Sequence, residues 1–192
     1  MAVKMGVNLY SRYVRPTWER LRSGGRIKLG SKVTIASGAK LDISNGGSIR
    51  LGRRSSISHG AILATYGGII SLGDRVSVNP YTILYGHGGL TIGDNVRIAA
   101  HTVIVPSNHR FDDPTRPIKN QGMSQIGITI EDDVWIGANV VVLDGSTIGR
   151  GCVVGAGSVV RGRLEPNGIY VGSPARRVGC RGAVERTDGV AP

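Results

Sequence analysis

Four histidines, two tryptophans and a band of arginines are the side chains of this 192-residue sequence with most chemistry to offer. His109 lies in the stretch Asn108-His109-Arg110-Phe111-Asp112-Asp113-Pro114, with Trp135 a little beyond it. An imidazole with the ordinary pKa of about 6.5 is largely neutral at pH 7. On a loop it is suited to take a proton from a hydroxyl, a contribution of roughly 10² to 10⁴ in rate. We read residues 105–127 as an active-site loop and His109 as its general base, against the plainer alternative of a solvated loop histidine. His87, flanked by Gly86, Gly88 and Gly89, is a candidate contact to the acceptor, while His59 and His101 read as surface residues. Arg161, Arg163, Arg176, Arg177 and Arg181 gather positive charge that could hold phosphates through charge-assisted hydrogen bonds. Cys152 and Cys180 show no metal-like pairing. No glycine-rich phosphate loop or dinucleotide fingerprint is present, which removes nucleotide hydrolysis and hydride transfer.

What must position these residues is a repeat. An aliphatic residue returns every sixth position in the groups Leu29, Ile35, Leu41; Leu51, Ile57, Leu63; Leu72, Val78, Leu84; Ile92, Ile98, Ile104; Ile130, Ile136, Val142; and Ile148, Val154, Val160. A small or β-branched residue follows four positions later, as at Val33, Ser55, Thr82 and Val134. A period of six is neither helical nor a simple alternating strand. It predicts short strands joined by tight corners, with three faces closing a triangular coil and successive coils stacked at the parallel-strand spacing of about 4.8 Å. The gaps 41 to 51, 63 to 72, 84 to 92 and 104 to 130 exceed six by 4, 3, 2 and 20. Every insertion follows a third face, so all four project from one edge of the prism.

The chain is long enough for one domain with a sizeable core. Its net charge of +11 argues for an anionic partner. It lacks an apolar run of membrane-spanning length and the apolar stretch of a signal peptide, so a cytoplasmic location is expected. Residues 1–28 are basic and lack the repeat; Tyr10, Val14, Trp18 and Leu21 recur at helical spacing, and Gly24-Gly25 would end a short helix. We read 1–28 as a cap on the open end of the core, with a peripheral membrane-surface contact as the alternative. The coil is placed at 29–163 and a C-terminal segment with a basic tail at 164–192.

The hexapeptide pattern resembles that of the left-handed parallel β-helix acyltransferases. The ordered set 108–114, then Gln121-Gly122, then 130–139, then Gly155-Ala156-Gly157-Ser158, then Gly172-Ser173-Pro174-Ala175-Arg176 is similar to the galactoside and maltose O-acetyltransferase branch, including members that acetylate bacterial surface sugars. The resemblance implies an all-β, left-handed helix of about six coils, a homotrimer, and acetyl-CoA bound between neighbouring subunits. It implies His109 as the base, Asn79 at the acceptor, and Trp135, the Ala138 backbone, Ala156 and Arg176 along acetyl-CoA; to these we add, from their positions in the chain, His87 and Asn108 at the acceptor and Gly137 and Arg161 along acetyl-CoA, with no metal required. Ala138 stands where the galactoside enzyme has a serine and His87 where the family has an acidic residue, so the acceptor is not carried over.

The expected reaction moves an acetyl group from acetyl-CoA to a hydroxyl of a sugar or surface-glycan precursor without a covalent enzyme intermediate. A backbone N–H within residues 135–138 would meet the developing oxyanion. An amino acceptor, on an amino sugar, nucleotide sugar or antibiotic, stays open because the same base would serve. A γ-type carbonic anhydrase needs two histidines five positions apart, whereas the spacings here are 28, 14 and 8. A basic scaffold binding nucleic acid would need interleaved aromatic and basic residues, which the sequence lacks.

Overall fold

A side chain that returns to the interior every sixth residue requires a corner every sixth residue. The computed structural model, which describes residues 24–182, has that corner at each repeat. The first turn consists of strands Ile27–Leu29, Thr34–Ile35 and Lys40–Asp42. Each pairs in parallel with its counterpart one turn on, placing Ile27 against Ile49, Ile35 against Ile57 and Leu41 against Leu63. Three sheets result, of seven, eight and six strands, called A, B and C in the order the chain visits them. The six strands of sheet C define six complete turns, and Arg163–Leu164 and Gly168–Val171 begin a seventh. The last strand, Arg176–Cys180, folds back antiparallel on Gly168–Val171.

The coil therefore runs past 29–163 at both ends. Leu164 and Tyr170 continue the buried stack, and the Tyr170 hydroxyl accepts the Glu165 N–H at 2.8 Å, so the seventh turn supplies both core and partner. The cap reading for 1–28 falls, up to residue 23, outside the described residues, as does the tail beyond 182.

Inside the prism the aliphatic residues of the repeat stack on their own kind, as in Leu51, Leu72, Ile92, Ile130 and Ile148 along sheet A, all buried. Buried corner hydroxyls are satisfied by carbonyls of the next turn: Ser55 Oγ donates to Gly73 O at 2.8 Å and Thr102 Oγ1 to Gly137 O at 3.0 Å. The glycine after the aliphatic residue serves close approach and not a left-handed turn. At Gly73 an added Cβ would lie 2.7 Å from the Gly93 carbonyl carbon. The left-handed conformation falls instead on a later corner residue, such as Arg75 (φ 57°), Asn95 (φ 60°) or Tyr81 (φ 59°).

The A–B edge carries a ladder of carboxylates. Asp74 accepts the Arg53 N–H at 2.7 Å, Asp94 the Asp74 N–H at 2.7 Å, and Asp132 the Asp94 N–H at 2.8 Å. Arg53 pairs with Asp74 and Arg150 with Asp132. The Arg53 side chain and N–H hold Asp74 below the usual carboxylate range, and the Asp94 N–H followed by the Arg150 side chain does the same for Asp132. A lowered folded-state pKa contributes stability above the unfolded value, near 3.8, that is lost as pH falls through the folded value. Thermal melts should show Tm dropping below about pH 4. In Asp132→Asn, which keeps an acceptor oxygen but no charge, that acid limb should be shallower; an unchanged limb would remove the ladder from the stability account.

Candidate functional site

All four insertions leave the coil at the C–A edge, between strands of sheet C and sheet A. Three are tight turns, and the fourth is an ordered arm. Strands Asn108–His109 and Met123–Ser124 pair antiparallel, with His109 opposite Met123, and a 3₁₀ turn, Ile118–Asn120, lies in the segment between them. Away from the strands, the Gln121 side chain donates to the carbonyls of Asp113 and Arg116 and accepts the Asp113 N–H at 3.0 Å. The base of the arm is clipped twice. Gly88 N–H donates to Pro106 O at 3.0 Å, and a Cβ on Gly88 would meet the Gln125 backbone at 2.6 Å. The Asp144 carboxylate accepts the N–H groups of Ile126 and Gly127, each at 3.0 Å, and the Ser124 hydroxyl at 3.0 Å.

His109 and Asn108 are exposed on this arm. His87 occupies the neighbouring turn in a different setting. Its ring stacks on Tyr66 (centroids 4.5 Å, 14°) and meets Tyr85 edge-on at 5.7 Å. Its Nδ1 is buried and has no hydrogen-bond partner among the described residues. Burial pushes its pKa down, opposed by the Asp144 carboxylate. The two tyrosines fix the ring of His87, and burial favours its neutral form.

A second group lies on the B–C edge, across the width of sheet C. Gly137 is buried and its N–H is consumed by Val154 O at 2.8 Å, while the Trp135 N–H goes to Cys152 O at 2.9 Å. The N–H groups of Ala138 and Ala156 have no such partner among the described residues. They lie on adjacent turns, joined by Gly157 N–H to Ala138 O at 2.8 Å. Asn79 sits at the same edge, with Nδ2 donating to Ile98 O at 2.8 Å. Segment 172–176 returns beside this edge, since Ala175 N–H donates to Val159 O at 2.8 Å, and Arg176 is exposed there. Trp135 projects from face B, 51% exposed, beside a cavity of about 230 Å³ also lined by Arg97, Asp133, Val153 and Arg181. Arg161 leaves sheet C on the C–A side. Within one chain, then, His87, Asn108, His109 and Arg161 share one edge and Asn79, Gly137, Ala138, Ala156 and Arg176 another. His59 and His101 also lie on the B–C side, and no three His, Cys, Asp or Glu side chains gather as a metal set among the described residues.

Residues 127–162 match the model of the bacterial transferase hexapeptide family (six repeats). The matched segment spans the fifth and sixth turns of the solenoid. This hexapeptide-repeat chain is 42% identical over 87 residues to galactoside O-acetyltransferase of Escherichia coli, an alignment covering 45% of the chain and 42% of that protein. It spans less than half the length of the curated relatives it matches. A mutant of AntD, an N-acyltransferase from Bacillus cereus in complex with dTDP and coenzyme A, is similar over 90% of this chain and 91% of its own, with TM-score 0.76 and 27% identity. A maltose O-acetyltransferase from Clostridium difficile aligns over 81% of this chain and 66% of its own, with TM-score 0.50 and 25% identity.

Asp144 is a residue that sequence reasoning passed over. It falls in an ordinary-looking Asp-Gly corner, and its three donors lie 17 to 20 residues earlier. Removing this acceptor takes away three hydrogen bonds at the base of the arm, and because Ile126 is exposed and Gly127 only half-buried, water replaces part of what is lost. Asp144→Ala should speed amide exchange at Ile126 and Gly127 by roughly tenfold or more, while the coil strands stay protected. Unchanged exchange would show that the arm is held by other contacts.

Proposed function

We propose that this chain is an acetyl-CoA-dependent O-acetyltransferase acting on a sugar or glycan-precursor hydroxyl, with the reaction centre formed between copies in a homotrimer. The observation that carries the reading is the pair of unengaged amides at Ala138 and Ala156, one turn apart on the edge that bears Asn79 and ends near Arg176. Small, exposed residues at Ala156 and Gly157 leave room for a thin acyl-pantetheine arm, and Arg176 lies further along the axis for its phosphates. The match of 45% of the chain to a galactoside O-acetyltransferase supports the hydroxyl acceptor.

The His109 imidazole removes the acceptor proton as the hydroxyl oxygen attacks the thioester carbonyl. The Ala138 N–H, the amide within residues 135–138 left free at the edge, donates to the oxygen on which charge develops. Collapse expels the thiolate, which recovers a proton from the imidazolium, so no bond to the enzyme forms. His87, held between Tyr66 and Tyr85, orients the acceptor through a hydrogen bond to one of its oxygens. Because one chain places the arm and the free amides on different edges, the arm of one copy serves the B–C edge of its neighbour. N-acylation is the second reading, favoured by the likeness to AntD over most of the chain.

Free-thiol release from acetyl-CoA with a panel of sugars, oligosaccharides and amino nucleotide-sugars tests both readings. His109→Ala should lower the maximal rate by roughly 10² or more while acetyl-CoA binding, followed by calorimetry, is retained. His87→Ala should act on the Michaelis constant of the acceptor. Near-normal turnover in His109→Ala with a dead His87→Ala would reverse the two roles. Sedimentation is expected to give a trimer, and a stable monomer of 20.2 kDa would remove the shared site.

A further inference from the structure

The B–C edge carries aromatic rings around Asn79. Across three successive turns, with Asn79 in the middle one, stand His59, Tyr81 and His101, all exposed, Tyr81 by 50%. His59 and Tyr81 meet edge-on at 5.8 Å, and Tyr81 and His101 lie nearly parallel, 13° apart with centroids at 5.3 Å. Carbon contact is made at about 3.5–4.0 Å, so the parallel pair is offset and overlaps by its rims. The rings are anchored from below: a Cβ on Gly60 would meet the Tyr81 ring, and one on Gly38 the His59 ring. His59 Nδ1 lies 2.6 Å from Ser37 O; a carbonyl only accepts, so Nδ1 donates a hydrogen to it.

The charge pattern of this edge narrows the occupant. Its corner residues are Ser58, His59, Gly60, Ala61 in one turn, Asn79, Pro80, Tyr81, Thr82 in the next and Ala99, Ala100, His101, Thr102 in the third, with no acid and no lysine or arginine. The A–B edge at the same turns is crowded with Arg53, Arg54, Asp74, Arg75 and Asp94. A nucleotide or nucleic acid would need cations for its phosphates. Exposed rings, a phenol and imidazole nitrogens suit a hexose, which offers a face of C–H groups and a rim of hydroxyls.

We infer that His59, Tyr81 and His101 form a glycan-binding strip, with Asn79 at its middle turn, that holds further neutral hexose units of a chain acceptor whose reacting sugar lies towards Ala138. The inference rests on the acetyl-transfer reading for the direction of the chain, since Ala138 and Ala156 continue the same edge beyond His101. It specifies an oligosaccharide or polysaccharide acceptor over a single free sugar.

The test is an array of neutral mono-, di- and hexasaccharides of the common hexoses, probed with labelled full-length protein without acetyl-CoA. Hexasaccharides of at least one hexose should be retained about tenfold more strongly than the matching monosaccharide, a gain on the scale of one or two aromatic contacts. The double variant Tyr81→Asn, His101→Asn should lose that gain and keep the monosaccharide signal. Asparagine suits both positions because Asn139 holds the same corner conformation one turn on (φ 57°), and an unchanged melt confirms folding. Wild-type protein with no preference for longer chains, or a double variant equal to wild type, overturns the proposal. So does an altered sedimentation coefficient in the double variant, which would make the strip a contact between copies. Thiol release with the same sugars is scored separately: array binding without any release would remove the acetyl-transfer reading and leave the strip standing.

Discussion

The structure depends on the stacking of one turn's backbone on the next. Each strand is only two to four residues long in the coil, too short to be stable by itself, and its N–H and C=O groups are satisfied by the turns on either side. The cross-section must therefore repeat, and every buried side chain stands over a counterpart of similar size. Departures are confined to corners. A corner accepts extra residues only where they can lift away from the stack, which is why all four insertions share the C–A edge.

That confinement makes the three edges chemically distinct. On the A–B edge, side-chain carboxylates take up the corner N–H groups of the preceding turn, and arginines neutralise them. On the C–A edge, glycines allow turns to nest and Asp144 fastens the arm. On the B–C edge the N–H groups of Ala138 and Ala156, like those of His59 and Ala100, have no partner among the described residues. Unpaired donors on a rigid frame need little reorganisation to meet a developing negative charge.

The two histidines of the C–A edge show how environment separates residues of one type. His87, wedged against Tyr66 and Tyr85 with Nδ1 buried, is pushed toward the neutral form. His109 stands exposed on an arm braced at its base. The difference lies in what surrounds each ring and not in histidine as such.

The sequence by itself determined the coil, because a six-residue period of aliphatic residues can be buried only by a corner at every repeat. It also determined the edge of the insertions and the place of His109 in the large one, since both follow from counting within the period. Only the tertiary structure decided which residues meet across turns. The offset to the next turn is 22 from Ile27 to Ile49, 20 from Leu72 to Ile92 and 38 from Ile92 to Ile130. Contacts such as Tyr66 on His87, Tyr81 on His101 and Asp144 on Ile126 thus have no fixed spacing to read. The fate of individual N–H groups was equally hidden, being decided at the corner: Gly137 and Ala138 are adjacent small residues just past strand Trp135–Ile136, yet the first N–H still reaches Val154 O and the second has no partner among the described residues.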